Sequence, residues 1–156
     1  MRTLYKDLAK DLVQHMKFNP SRSVAEVLAR QMTQSLPYLS EGTLVCAVPT
    51  SRARVRQRGF DHCQILAREI AGMKGLRHQP VLIRYGRSKQ VGSKRENRIS
   101  QVKGVYVANH KYSIKGRNIL LIDDVVTTGA TISEAATELK KAGAKSVDAC
   151  IFAQSI

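Results

Sequence analysis

The sequence contains no tryptophan, and aromatic residues of all kinds make up only 5% of it. That is a thin supply of rings for a surface that works by base stacking. Its three cysteines, Cys46, Cys63 and Cys150, lie far apart, and no Cys-x-x-Cys pair occurs. This excludes a zinc finger built from cysteines and gives no disulfide framework, so a reducing cytoplasm is the expected compartment. No apolar run approaches the ~18 residues that a membrane span requires. The opening "MRTLYKDLAKDL" mixes charge into every turn and lacks a signal-peptide core. Acids are scarce too: 12 Asp and Glu stand against 26 Lys and Arg, for a formal net charge of +14. Such a surface attracts polyanions: nucleic acid, phosphorylated metabolites or acidic lipid.

What is present suits a globular α/β chain. The 156 residues, 43% of them hydrophobic, are enough for one domain with its own core, expected to span 1–156. The spacing of Tyr5, Leu8, Leu12 and Met16 predicts a helix, and a second follows with Ser21 or Ser23 as cap and Val24, Val27, Leu28 and Met32 inward. Two helices thus fill 1–40, ahead of an α/β core over 43–156. "TLVCAV" (43–48) and "VLIRY" (81–85) read as strands of one sheet, with an Arg-rich loop and a helix capped by Asp61 between them. Residues 86–104 read as a long mobile loop entering a short helix. "VYVA", "NILLID" and "SVDACIFA" are further strands, and 130–142 a helix ending at Gly143. Strands separated by helices imply a mostly parallel sheet flanked by helices.

The chemistry concentrates in "NILLIDDVVTTGATISEA" (118–135), where the most hydrophobic run ends in Asp123 and Asp124. In open α/β sheets the ligand site lies beyond the carboxyl ends of the strands, which is where these acids fall. The turn that follows offers consecutive backbone N–H groups, the hydroxyls of Thr127, Thr128 and Thr131, and Gly129 ahead of a helix start. This combination suits a phosphate. Two carboxylates beside it would repel the phosphate but would accept hydrogen bonds from a diol on the same molecule. A G-x-x-x-x-G-K-[ST] loop and a G-x-G-x-x-G fingerprint are both absent, and acids ending a strand in the Walker B manner have little support without the former.

"LLIDDVVTTGAT" resembles the 5-phosphoribosyl-1-pyrophosphate (PRPP) motif of type I phosphoribosyltransferases. "VPTSRARVRQRGFDHCQILA", "RSKQVGSKRENRISQVKGVY" and "LVQHMKF" are similar to segments of the ComF (GntX) family, so the resemblance spans essentially the whole chain. Four departures stand out. The residues include no four-cysteine zinc module of the kind with which family members usually begin. Asp61 and His62 replace Asn and Gln, Gln101 replaces Asn, and Tyr106 replaces Phe.

The resemblance implies a single-domain type I phosphoribosyltransferase-like fold. It implies that Asp123 and Asp124 meet the ribose hydroxyls, and that Thr127, Thr128, Gly129, Ala130 and Thr131 wrap the 5′-phosphate. Thr50, Ser51 and Arg52 would form the pyrophosphate loop, and 86–98 the loop that closes over the substrate. Mg2+ would be chelated mainly by PRPP itself, with no dedicated protein ligand set. Displacement of pyrophosphate needs no covalent nucleophile; Arg54, Arg56, Arg58 and Arg87 or Lys89 are the candidates to stabilise the leaving group.

His62 reads either as a general acid or base or as a polar first-turn residue behind its cap Asp61, and the capped-helix reading is favoured. Cys46 and Cys150 read as core, and Cys63 as a helix residue without chemistry. Three functions stay open. One is PRPP-dependent pentosyl transfer tied to DNA uptake and competence. Another is a non-catalytic, PRPP-responsive factor whose partners are single-stranded DNA or DNA-uptake proteins. The third is nucleobase salvage.

Overall fold

The computed structural model describes residues 3–4, 8–19, 22–85 and 104–154. Residues 86–103, the expected mobile loop with Arg87 and Lys89, lie outside the described residues.

At the centre is β6 (Asn118–Val126), the run of alternating and continuous apolar residues that carries the acid pair at its end. It pairs in parallel with β2 (Leu44–Ala47) on one side and β7 (Ser146–Gln154) on the other. Two-residue strands complete the edges: β1 (Thr3–Leu4) on β7 and β3 (Arg77–His78) on β2, giving the order β1-β7-β6-β2-β3 with every pairing parallel. Neither short edge strand is visible in the sequence, because two residues carry no period.

Alternation along β6 builds the two halves of the core. Leu120 and Ile122 face the cluster formed by α1 (Leu8–Phe18), α2 (Arg22–Gln34) and α4 (His62–Lys74), through Val13, Met16, Leu28, Leu66 and Ile70. Ile119 and Leu121 face the opposite cluster, with Ala135 and Leu139 of α5 (Ala130–Lys141). Val27, expected inward on α2, is exposed; Ala25 and Ala29 line the buried face beside Leu28 and Met32. Small side chains let α2 approach α4 closely, and hydrophobicity alone does not reveal that preference. Since α2 begins at Arg22, Ser23 lies in its first turn rather than at its cap.

Two further expectations are corrected. The "VLIRY" segment is not a strand of the central sheet. Its strand, β4 (Leu82–Arg84), forms a separate antiparallel pair with β5 (Tyr106–Ala108), and Asn109 ties the hairpin to the carbonyl of Pro80. The Arg-rich stretch is not a loop but a short helix, α3 (Arg52–Arg58). Ser51 Oγ accepts from the Arg54 N–H at its start, and Gly59, at φ +82°, closes its end with an N–H to the Val55 carbonyl. A side-chain cap and a left-handed glycine suffice to hold a helix with no buried residue. Among the described residues no helix is long and apolar enough to cross a membrane.

Candidate functional site

A cavity of about 270 Å³ opens at the carboxyl edge of the sheet, lined by the ends of β2 and β6 and by α1, α3, α4, α5 and the hairpin. A larger one, about 600 Å³, lies under the opposite edge beside Lys74, Arg77 and Arg117. The C-terminus of α4 lies against it, and none of the candidate site residues lines it. The smaller cavity is the one that contains the acid pair.

Asp123 and Asp124 both reach the cavity beside α4, one carboxylate oxygen of each and Cys63 Sγ lying within 4.8 Å of one another, yet their hydrogen bonds differ. Asp123 Oδ1 accepts from the Asp124 N–H at 2.9 Å and faces Cys63 Sγ at 3.6 Å. Asp124 is buried. Its Oδ1 accepts from the Val125 N–H at 2.7 Å, while Oδ2 takes His62 Nε2 at 3.0 Å and the Lys17 ammonium at 2.6 Å. On the other side of the imidazole, Arg58 Nη1 lies 3.0 Å from His62 Nδ1. A guanidinium can only donate, so Nδ1 accepts and Nε2 carries the proton given to Asp124. The result is a directed chain from α3 through α4 to β6.

The two carboxyls titrate far apart. Burial and the neighbouring charge of Asp124 push Asp123 up to about 7. Burial would raise Asp124 as well, but the His62 hydrogen bond and the Lys17 charge outweigh it and hold that carboxyl well below the usual range. Burial, reinforced by Asp124 and Asp123, pushes the Cys63 thiol up. Cys63 is thus a buried neutral partner of the acids rather than a nucleophile.

Past the acids, Thr127 and Thr131 line the cavity, and Gly129 at φ +78° starts α5 with no side-chain cap. Thr128 Oγ1 accepts from the Ala130 N–H at 3.3 Å. An uncapped N-terminus of a twelve-residue helix at the cavity wall is a ready anion site. Across the cavity Thr50 is clamped to Asp61, its hydroxyl donating to Oδ1 at 3.0 Å, and the same oxygen accepts from the Cys63 N–H at α4's start. Asp61 therefore fixes the turn after β2 to the helix that carries His62.

The arginines divide by helical phase. Arg54 and Arg58, four residues apart, share a face of α3 and line the cavity. Arg52 and Arg56 form the alternate face, are exposed, and are not brought to it. Ser51 is occupied as the α3 cap. Lys17, Arg84 and Tyr106 join the lining without having been singled out as site residues by the sequence. Arg84 sits 5.7 Å from the Tyr106 ring centroid, its Nη1 donates weakly to the Tyr106 hydroxyl at 3.4 Å, and its buried Nε has no partner among the described residues. For Lys17 the signal was its place in "LVQHMKF"; for Arg84, a lone cation at the end of an apolar strand.

The family model for the phosphoribosyl transferase domain matches residues 55–155. The chain belongs to that family. It is 30% identical over 141 residues to the competence protein ComFC of Bacillus subtilis (strain 168), covering 89% of this chain and 56% of the relative. Against ComFC of Streptococcus pneumoniae it is 31% identical over 148 residues, covering 92% and 62%. The chain thus spans less than two thirds of the length of these relatives. Among solved structures it resembles the glutamine PRPP amidotransferase of B. subtilis with a TM-score of 0.58 at 21% identity, covering 83% of this chain and 26% of that one. The phosphoribosyl transferase family member described here is ComFC-like in sequence, and its parallel sheet flanked by helices is the type I phosphoribosyltransferase fold.

Proposed function

We propose that the cavity binds PRPP with Mg2+ and that the protein transfers the phosphoribosyl group with release of pyrophosphate. The observation that carries this reading is the set of groups that line one cavity. The start of α5, which has no side-chain cap from Gly129, the acid pair, and Arg54 with Arg58 all meet there. A phosphate, a diol and a diphosphate occur together in one molecule of PRPP. Asp123 and Asp124 meet the ribose hydroxyls; Thr127, Thr128, Gly129, Ala130 and Thr131 receive the 5′-phosphate. Thr50, Arg54, Arg58 and the unpartnered Nε of Arg84 face the diphosphate.

Mg2+ fits this donor set as a passenger of the ligand. Among the described residues that line the cavity, the carboxylates of Asp123 and Asp124 are the anionic oxygens, and Lys17, Arg54, Arg58 and Arg84 are the cations. The ion would ride on diphosphate and ribose oxygens beside Asp123 and Asp124, adding positive charge where the leaving group develops negative charge. The protein's own part is positioning and electrostatics: holding the ribose while charge grows on pyrophosphate, and stabilising that charge with Arg54, Arg58 and Arg84. Titration calorimetry with Mg2+ and PRPP is expected to give saturable binding, and a flat trace would sink the proposal.

A link to DNA uptake is the second reading, supported by the names of the ComFC relatives and by the charge of +14. Two exposed rings, Phe18 and Tyr85, adjoin the cavity cations Lys17 and Arg84 in sequence. Binding of a labelled single-stranded oligonucleotide at low salt, weakening steeply as salt rises, is the expected behaviour; no binding at low salt refutes it.

A further inference from the structure

Asp124 is nearly full before any ligand arrives. Of the roughly four acceptor positions on a carboxylate, the Val125 N–H, His62 and Lys17 occupy three. A ribose hydroxyl that uses Oδ2 must displace a donor. His62 is the wrong one to lose: it is buried and fastened between Arg58 and Asp124, so moving it would strip both of a partner. Lys17 is the replaceable donor. It sits in the last turn of α1, its side chain lines the cavity, and an unbranched ammonium chain can swing without moving backbone.

An ammonium taken off a buried carboxylate needs another anion, or the exchange costs the full loss of the pair. The fold determines which part of a ligand can supply it. Lys17 reaches the site from the face of the sheet occupied by α1, α2 and α4, whereas the helix terminus suited to a 5′-phosphate belongs to α5 on the opposite face. The acid pair lies between them. A phosphate seated on α5 therefore leaves Lys17 stranded, and only an anion at the other end of the ribose, beside Arg54 and Arg58, can take it. The next residue, Phe18, is exposed, with its ring centroid 5.9 Å from the Arg58 guanidinium, which places the end of α1 beside α3.

We propose that Lys17 is a specificity-determining residue that admits ribose phosphates carrying a 1-diphosphate and rejects those without one, by exchanging its ion pair with Asp124 for one with the diphosphate. This rests on the PRPP reading above and adds to it a reason for discrimination against ribose 5-phosphate.

The test pairs two ligands with one substitution. In Lys17→Met, ribose 5-phosphate is expected to bind about tenfold tighter, because the internal competitor is gone. PRPP with Mg2+ is expected to bind about tenfold weaker, because its partner is gone. Lys17→Arg keeps the wild-type order of the two ligands. A purely structural lysine would shift both affinities the same way, and a mere competitor would tighten both; either outcome overturns the proposal, as does no change.

A measurement on the wild-type protein keeps the question open to refutation if Lys17→Met does not fold. Pyrophosphate with Mg2+ should draw Lys17 away and raise the affinity for ribose 5-phosphate, with the reciprocal effect of equal size. Absent or negative coupling in a protein that binds PRPP overturns the role of Lys17 alone. A wild-type protein that binds neither PRPP nor pyrophosphate overturns the reading of the site as well.

Discussion

His62 donates from Nε2 to Asp124 Oδ2 at 3.0 Å across a gap of 62 residues, and Arg58, 3.0 Å from His62 Nδ1, determines the direction of that bond. One ring thus joins the arginine helix to the acid pair. It is buried, so its two polar atoms have no water to fall back on.

A glutamine can reproduce both bonds, with its carbonyl accepting from Arg58 and its amide donating to Asp124, whereas a leucine can reproduce neither. His62→Gln is expected to stay within about 1 kcal/mol of wild type in urea unfolding, and His62→Leu to cost about 2–4 kcal/mol. Equal losses for the two would show that packing, not the bonds, is what matters at this position.

Helical phase on α3 separates arginines that look equivalent in the sequence. Arg54→Ala and Arg58→Ala should each weaken PRPP binding about tenfold or more, while Arg52→Ala and Arg56→Ala should change it less than about twofold. Calorimetry on the four single variants checks this, and a uniform effect would show that general surface charge is responsible.

The acid pair makes stability depend on pH with opposite signs. Asp123 is pushed up to about 7 from an ordinary 3.8, so between those values the folded protein keeps a proton that the unfolded chain has released. Stability from this group therefore falls as pH rises from about 4 to about 7. Asp124 is held low, so its contribution is complete above the ordinary carboxylate value and is lost only at more acidic pH. Unfolding free energies measured for wild type and Asp123→Asn should differ by a slope in the pH 4–7 window, and parallel curves would refute the assignment.

Gly129 starts α5 at φ +78°, a conformation that a Cβ disfavours even though no atom stands closer than 4.0 Å to where it would be. Gly129→Ala is expected to cost about 1–2 kcal/mol through backbone strain alone. It should also weaken PRPP and ribose 5-phosphate by similar factors, since both place a phosphate on that turn.

Much of the site was legible before any coordinates. β6, its terminal acids, the glycine turn and α5 are contiguous, and each has a short-range cause: an apolar run, a left-handed glycine, a helical stripe. The cap Asp61 was legible for the same reason, since its partners Cys63 and Gln64 are its immediate neighbours. The Arg-rich stretch was misread as a loop because nothing apolar marks α3, and a helix with no buried face leaves no period to detect. The strand at Leu82–Arg84 was recognised but assigned to the wrong sheet, because a run of three residues does not say which strand it will pair with.

His62 shows the boundary most clearly. From the sequence it is a first-turn residue behind a cap, and in the structure it is that too; its second role exists only because β6 brings Asp124 against it. Local order of residues determined the strand, the acids, the phosphate turn and the charge that surrounds them, since backbone propensity and covalent adjacency act over a few residues. Tertiary packing alone decided that Lys17 and His62 meet Asp124 and that Arg58 and Arg84 line the same cavity. Burial then gave each contact its strength, by removing the water that would otherwise have screened it.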